Sequence, residues 1–549
     1  MRYVGFACDF DGTIASDGIV SDEVLQALSR LKNSGRSLVL VTGRKLDDLL
    51  RVFEHSSLFD YLVCENGGVL YHPETRAMDI LAEPPARSFI ERLQARGVTW
   101  LDVGQVIIAS WVPNETIILE VIQELCLDLH ISFNKGAVMI LPPDVNKGTG
   151  LTAALNKLGL SSHNVVVIGD GENDHAMFSI CECSVAVGDA LVSVKEHADL
   201  IMRGENGHGV VELINKLIEN DLCETDTSNR ISLGVQQDGT RSQFRSYDCR
   251  VLIAGPSKSG KSTVAISILN DFAEAGYQYC VIDPEGEYDH APHAVTVGNQ
   301  HYSPSASEIV SVLENPQDSV VVNLLSVPLD ERPSFLSTIV SSLKSLRNRK
   351  GRPHWIVVDE AHHMLHPFWD QTLEPGWSEP GSVIIITVDP SEISTKVLSA
   401  VDIVVAVGDE PSRTLSRFAK AIGHQPPVTK PVSLGWGEIL VWFRHEYGPP
   451  VKLTTRTLPV EHQRHIRKYA AGDIGVQRSF YFTGPENRLR IKCQNLFLFL
   501  QIADGLDAET WLFHLKRGDY STWFRDVIHD HGLEIEAQAI EKNGKFVSG

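Results

Sequence analysis

The feature that most restricts this chain is a series of short β-branched apolar runs, each followed by a turn and then by a helical pattern. "RYVGFACDF", "SLVLVTG" and "NVVVIGD" form a first series, with helical stretches between them such as "SDEVLQALSRLKNSG", opened by Ser21 and closed by Gly35. A second series starts at "RVLIAGPS" and continues through "YQYCVID", "SVVVNLL", "HWIVVDE", "SVIIITVD" and "VDIVVAVGD". Runs that are apolar on both faces and alternate with helices are the pattern of parallel sheets covered by helices, so two α/β domains are expected. The polar, turn-rich stretch between the series, "CETDTSNRISLGVQQDGTRSQFRSYD", reads as a linker and lead-in over residues 223–248. The expected division is 1–222, 249–455 and, where the strand rhythm fades, an aromatic and mainly helical tail over 456–549.

A chain of 549 residues exceeds what one hydrophobic core serves, which agrees with that division. The formal charge of -21 opposes any broad attraction to phosphate backbones or anionic lipid, so nucleic acid is not the expected partner. Nine cysteines are scattered, and Cys181 with Cys183, the closest pair, fits neither a zinc knuckle nor a redox CxxC. A reduced, cytoplasmic protein is expected. The N-terminus enters a strand directly, and no apolar run approaches membrane-span length, so neither export nor anchoring is expected.

Four polar elements fall at the carboxyl ends of the first series: "DFDGT" (9–13), "VTGR" (41–44), "NKGTG" (146–150) and "GDGEND" (169–174). Ligands of open α/β sheets bind at those ends. The set suits phosphoester hydrolysis, which needs a carboxylate nucleophile, a second carboxyl to move protons, and positive charge around the transferred group. Asp9 would attack phosphorus and carry an aspartyl phosphate. Asp11, two residues on and on the same side of an extended backbone, would protonate the leaving oxygen and then activate water. Several carboxylates facing a dianion require a hard cation, and Asp9, Asp170 and Asp174, with Asp11 beside them, form an oxygen-rich set for Mg2+. Thr42 and Lys147 would hold phosphoryl oxygens.

These elements resemble those of the haloacid dehalogenase superfamily, specifically its capped, magnesium-dependent phosphatases, over residues 1 to about 220. The resemblance implies a Rossmann-like domain with a small α/β cap over about 83–142, Asp9 as nucleophile, Asp11 as acid/base, and Asp170 as a magnesium ligand assisted by Asn173 or Asp174. "NKGTGL" resembles phosphoglycolate and sugar-phosphate phosphatases, which implies a small phosphoester substrate.

The second series opens on a different phosphate device, "GPSKSGKST" (255–263), placed between an apolar strand and a helical pattern. Gly255, Ser259 and Gly260 let backbone N–H groups wrap phosphates, Lys261 reaches the outer phosphates, and Ser262, followed by Thr263, ligates magnesium at the helix start. In "HWIVVDEAHHM", Asp359 would hold that metal through water, and Glu360 would activate an attacking water. ATP is the expected cofactor. "VIDPEGEY", "VVDEAHH" and "IIITVDPSEIS" resemble the HerA and FtsK group of ring-forming P-loop ATPases over roughly 230–455, which implies a RecA-like domain and a ring of copies of this chain. Val388 stands where that group often carries glutamine, which points to slow hydrolysis.

Arg413 and Arg417 are candidates to reach a neighbour's nucleotide, or ordinary surface charges. His362 and His363 invite a metal, but adjacent side chains on one helix diverge by about a hundred degrees and lack a third ligand, so a supporting role is expected. In the tail, Leu496, Leu500, Trp511, Leu515 and Trp523 fit amphipathic packing better than a single-strand binding surface. The expectation is a phosphatase of a small metabolite fused to an ATP-binding regulatory or assembly domain. The competing readings are a DNA-processing motor with an accessory phosphatase, and a P-loop switch with little turnover.

Overall fold

The computed structural model describes residues 1–134, 136–369, 381–429, 432–445, 448–456, 479–528 and 531–543. The chain forms two compact units, Met1–Thr455 and Arg456–Gly549.

The first unit contains two large sheets. In the first, the strands run in the order Leu200–Ile201, Cys183–Ala186, Val165–Gly169, Gly5–Asp9, Ser37–Val41, Tyr61–Cys64, Val69–His72 and Ala77–Ile80. Neighbours are parallel as far as Tyr61–Cys64, and the last two strands turn back antiparallel. Gly5–Asp9 is buried along its whole length, so no polar residue appears in it before Asp9 at its carboxyl end. N-terminal caps fix where the helices begin: Ser21 accepts from Val24 N, and Asn146 and Thr149 form a reciprocal box ahead of Lys147–Leu158. This part of the chain is the α/β, Rossmann-like arrangement expected. Between its strands lies a smaller antiparallel sheet, in the order His130–Asn134, Ala137–Leu141, Ile108–Trp111, Asp102–Val103. It packs with the helices Arg87–Ala95 and Glu115–Glu124 around Phe89, Leu93, Ile108, Ile118, Val138 and Ile140.

The second large sheet has 11 strands. Its parallel middle runs Ile403–Ala406, Arg250–Ala254, Ser382–Thr387, Trp355–Val358, Tyr279–Asp283, Ser319–Asn323, Ala294–Val297. Four antiparallel strands extend one edge, and two of them correct the sequence reading: Arg230–Val235 and Arg241–Arg245, inside the expected linker 223–248, form a hairpin of this sheet. The alternating exposure of Arg241–Arg245 explains the error, because an edge strand with one solvated face carries polar residues at every second position and reads like a loop.

The two halves of this unit meet through buried polar groups. Glu182 accepts from Arg2 Nη2 (3.0 Å), from Ser246 Oγ (2.6 Å) and from the Tyr277 hydroxyl (2.8 Å), and its carboxylate lies 2.8 Å from His163 Nδ1. Burial alone would push this carboxyl up, but His163, Arg2 and Ser246 hold it below the usual range. His163 stacks on Tyr277, and its Nε2 meets the carbonyl of Ala275, the last residue of the helix Lys261–Ala275, at 2.7 Å. Arg352 donates to the Gly159 carbonyl at 3.2 Å, and His354 Nε2 faces Asn164 Oδ1 at 3.1 Å.

In the second unit, residues 457–478 of the expected tail lie outside the described residues. A hairpin of Phe480–Phe482 and Ile491–Cys493 packs with the helices Leu496–Asp504, Ala508–Arg517 and Asp519–Trp523 around Phe480, Phe482, Phe499, Tyr520 and Trp523. Leu496, Trp511 and Leu515 border this core, whereas Leu500, expected among them, is 67% exposed. Among the described residues no helix is long and apolar enough to cross a membrane.

Candidate functional site

Asp9 ends the central strand of the first sheet and is buried. Lys147, the first residue of its helix and 1% exposed, places Nζ 2.7 Å from Asp9 Oδ1 and 2.6 Å from Asp174 Oδ1. The two carboxylates hold this ammonium protonated above its ordinary range despite its burial. Close backbone approach makes the placement possible, since a Cβ on Gly148 would lie 2.3 Å from the Ala176 carbonyl oxygen. The other oxygen of Asp174 accepts from the N–H groups of Asp170 and Gly171, both at 2.9 Å. Asp170 accepts from Thr13 Oγ1 at 3.1 Å, and Asp9, Asp170 and Asp174 each offer an oxygen within 4.8 Å of the others. Asn173 donates to Asn66 Oδ1 at 3.1 Å, while its own Oδ1 is buried with no hydrogen-bond partner among the described residues.

Asp11 lies outside this buried cluster. Both its oxygens are held by Arg44, whose Nε and Nη2 donate at 2.7 Å, and Arg44 Nη1 reaches Asp48 at 2.8 Å. Thr42 is buried and its hydroxyl accepts from Arg44 N at 3.2 Å. Three contributors here escaped the sequence reading. Arg44 was visible only as the last letter of "VTGR". Glu65 and Asn66 stand in "CENGG", directly after a buried strand, and both adopt positive φ. The Glu65 carboxylate accepts from the N–H groups of Gln105, Val106 and Ile107 at 2.9, 2.8 and 3.2 Å, tying down the chain next to the small antiparallel sheet. Two polar residues after an apolar run were the available signal.

The second sheet presents its own loop at the end of Arg250–Ala254. Gly260 has φ 93°, and a Cβ on Gly255 would lie 2.4 Å from the Val407 carbonyl oxygen, so both glycines are required by the turn. Lys261, buried at the start of the helix Lys261–Ala275, donates to the Pro256 carbonyl at 3.1 Å. Ser262 donates to Glu287 at 2.9 Å, and the Ser259 hydroxyl is buried without a hydrogen-bond partner among the described residues. Thr263 follows in the same helix. Asp359 is buried after Trp355–Val358, and burial pushes its carboxyl well up. Glu360 sits beside it at φ 42°; burial pushes its carboxyl up as well, and Lys261 opposes this. Glu287 went unnoticed in "DPEGEY", whose Asp283 accepts from the N–H groups of Gly286 and Tyr288 at 2.8 and 2.9 Å and so shapes the loop that carries it. Arg413 pairs with Glu410 at 2.8 Å and Arg417 with Asp389 at 2.6 Å, both at the surface of this chain.

Residues 6–108 and 101–214 match the haloacid dehalogenase-like hydrolase family. Phosphoglycolate phosphatase 2 of Saccharolobus solfataricus is 29% identical over 227 residues, covering 39% of this chain and 92% of the relative. A phosphoglycolate phosphatase of Nitrosopumilus maritimus is 29% identical over 233 residues, covering 40% of this chain and 97% of the relative. The crystal structure of a haloacid dehalogenase-like hydrolase from Bacteroides thetaiotaomicron aligns at 21% identity with 39% of this chain and 100% of that one, at a TM-score of 0.35. The sheet that ends in Asp9, with Lys147 and the Asp170–Asp174 loop gathered at its carboxyl edge, therefore belongs to a haloacid dehalogenase-like hydrolase domain at the N-terminal end of this chain.

Proposed function

We propose that the N-terminal domain is a magnesium-dependent phosphatase of a small phosphorylated metabolite, and that the second sheet binds ATP and regulates that activity. The observation that carries the phosphatase reading is Lys147 Nζ held between Asp9 and Asp174 with Asp170 in the same cluster. Three buried carboxylates around one ammonium leave negative charge unbalanced, and burial pushes the Asp9 carboxyl up against the pull of Lys147. A hard divalent cation suits that deficit, and the orphaned Asn173 Oδ1 adds a neutral oxygen donor. Asp9, Asp170 and Asn173 would hold magnesium. The ion would supply neutralisation of the phosphoryl oxygens. Asp174 spends both oxygens on Lys147 and the backbone, and Asp11 spends both on Arg44, so in this reading each serves the site otherwise than as a ligand.

In the reaction, an Asp9 oxygen bonds to phosphorus as the bond to the leaving oxygen breaks, and Asp11 gives that oxygen a proton. Asp11 then takes a proton from the water that displaces the phosphoryl group from Asp9, which releases inorganic phosphate and restores the carboxylate. Lys147 keeps Asp9 in place through both steps, with Thr42 beside the transferred group. Arg44 must release one side of its fork for either proton transfer.

The ATP reading rests on Lys261 and Ser262 at the start of a long helix, with Ser262 bonded to Glu287, Lys261 acting on Glu360, and Asp359 accepting from the N–H of Glu360. Two relatives are called phosphoglycolate phosphatases, so 2-phosphoglycolate heads the test panel with sugar phosphates after it. Phosphate release is assayed with magnesium, with and without ATP and single-stranded DNA. Release from one such ester, altered by ATP and indifferent to DNA, is expected. No release from any phosphoester would sink the phosphatase reading, and ATP turnover strongly raised by DNA would replace regulation by a motor.

A further inference from the structure

"DEAHH" carries two imidazoles that neither proposed reaction uses. On an α-helix, neighbouring side chains diverge by about a hundred degrees. Here Ala361–His363 is a 3-10 turn that follows Glu360 at φ 42°, and the two rings lie 4.1 Å apart at a 39° tilt. The missing third ligand is Glu360. Its Oε2 lies 3.3 Å from His362 Nδ1, and Glu360, His362 and His363 each offer one ligand atom within 4.8 Å of the others. His362 Nδ1 is buried and has no hydrogen-bond partner among the described residues. A ring nitrogen turned toward a carboxylate in a buried place is satisfied only by a proton or a cation between them.

We propose that Glu360, His362 and His363 bind a transition-metal ion of the zinc type, and that the bound ion withdraws the Glu360 carboxylate from nucleotide chemistry. Two imidazoles and one carboxylate are a zinc donor set, with a fourth position left for water, whereas magnesium prefers oxygen ligands throughout. Charges of both signs face the three groups: Lys261, near Glu360 and His362, and Arg332, near His363, oppose a further cation, while Glu285, Glu287 and Glu392 favour one. The metal site stands on its own geometry. Its effect on turnover rests on the ATPase reading.

The test uses the full chain, stripped by a chelator, supplied with excess magnesium to fill oxygen sites, and titrated with cobalt(II) and then zinc(II). The parent is expected to develop the strong visible cobalt band of a tetrahedral, imidazole-containing site, which zinc then bleaches. His362→Gln and His363→Gln, tested singly and together, should each weaken zinc binding by at least about tenfold and lose the band. Circular dichroism and urea unfolding like the parent's check that these variants are folded, and the single variants carry the comparison if the double variant does not fold. A band and zinc stoichiometry unaltered in the variants would overturn the site. Zinc should stop ATP turnover in the parent and spare it in His363→Gln. Turnover that continues with the site filled overturns the withdrawal of Glu360, whereas a parent with no ATP turnover refutes the ATPase reading and leaves the cobalt band to decide the metal site.

Discussion

At the carboxyl end of the first sheet the central cation, Lys147, is gripped by two carboxylates, whereas at the corresponding end of the second sheet Lys261 rests on the backbone carbonyl of Pro256. Each site has a buried lysine at a helix start and several carboxylates, yet the charges are wired together in one and kept apart in the other. A lysine already paired to the proposed nucleophile positions that nucleophile, which suits covalent catalysis. A lysine holding a neutral carbonyl can exchange it for phosphate oxygens without breaking an ion pair, which suits a site completed by its ligand. The first site should therefore respond to mutation mainly in rate, and the second mainly in affinity.

The largest expected effect tests the wired site. Asp9→Asn removes the proposed nucleophile, so phosphate release should fall at least about a thousandfold while binding of a nonhydrolysable ATP analogue is unchanged. Steady-state phosphate release and calorimetric titration measure the two. A variant within tenfold of the parent would remove Asp9 from the chemistry. Next comes the second lysine: Lys261→Ala should weaken analogue binding by roughly tenfold to a hundredfold, the worth of a charge-assisted hydrogen bond, and leave phosphatase turnover without nucleotide intact. Glu360→Gln should keep the affinity and lose ATP turnover. If Lys261→Ala binds the analogue like the parent, the proposed contrast between the lysines collapses.

The parts of both sites that could be read in the sequence are those at the ends of buried strands. A parallel strand covered on both faces is a continuous apolar run, so Asp9, Asp170 and Asp359 stand out as the first polar residues after one. Lys147 and Lys261 stand out because each sits next to a glycine, Gly148 and Gly260. Arg44 and Glu287 could not be found this way, because their partners lie 33 and 25 residues away and only the folded chain joins them; Glu65 does follow a buried run, but the N–H groups it holds lie 40 to 42 residues on, so its role is visible only in the fold. The seam around Glu182 is less legible still: Arg2, His163, Ser246 and Tyr277 form no motif. The hairpin 230–245 was lost for the opposite reason, since its solvated face supplied the polar letters of a loop.

Arg44 permits a finer cut. Its fork holds both oxygens of Asp11, and lysine keeps the charge but not the two-pronged geometry. Arg44→Lys is expected to lower phosphatase kcat by about tenfold through loss of orientation in proton transfer, with KM changed less. If KM rose and kcat stayed, Arg44 would be binding substrate rather than placing Asp11.

The smallest effect concerns the seam that joins the two sites. His354 is buried there, with Nδ1 accepting from Gln278 N at 2.8 Å and Nε2 facing Asn164 Oδ1 at 3.1 Å. The Asn164 amide already donates to the carbonyls of Arg2 and Gly351, which leaves its oxygen to accept, so the neutral ring with its proton on Nε2 satisfies every partner. A second proton on Nδ1 would face the Gln278 N–H. Burial, then His163, Arg352, Arg347 and Arg2, hold the His354 pKa well below 6.5 in the folded chain. Between that depressed value and about 6.5, the unfolded chain binds a proton that the folded chain refuses, so stability rises with pH across this window. The contribution is complete above about pH 6.5 and is lost below it at up to about 1.4 kcal/mol per pH unit. His354→Gln removes this titration and leaves the other ionisable groups in place. Urea unfolding followed by tryptophan fluorescence at pH 7.5 and 5.5 should show the parent losing about 1 kcal/mol more than the variant. Parallel losses in the two proteins would mean that His354 takes up its proton in the folded seam, and the tautomer assigned from these contacts would be wrong.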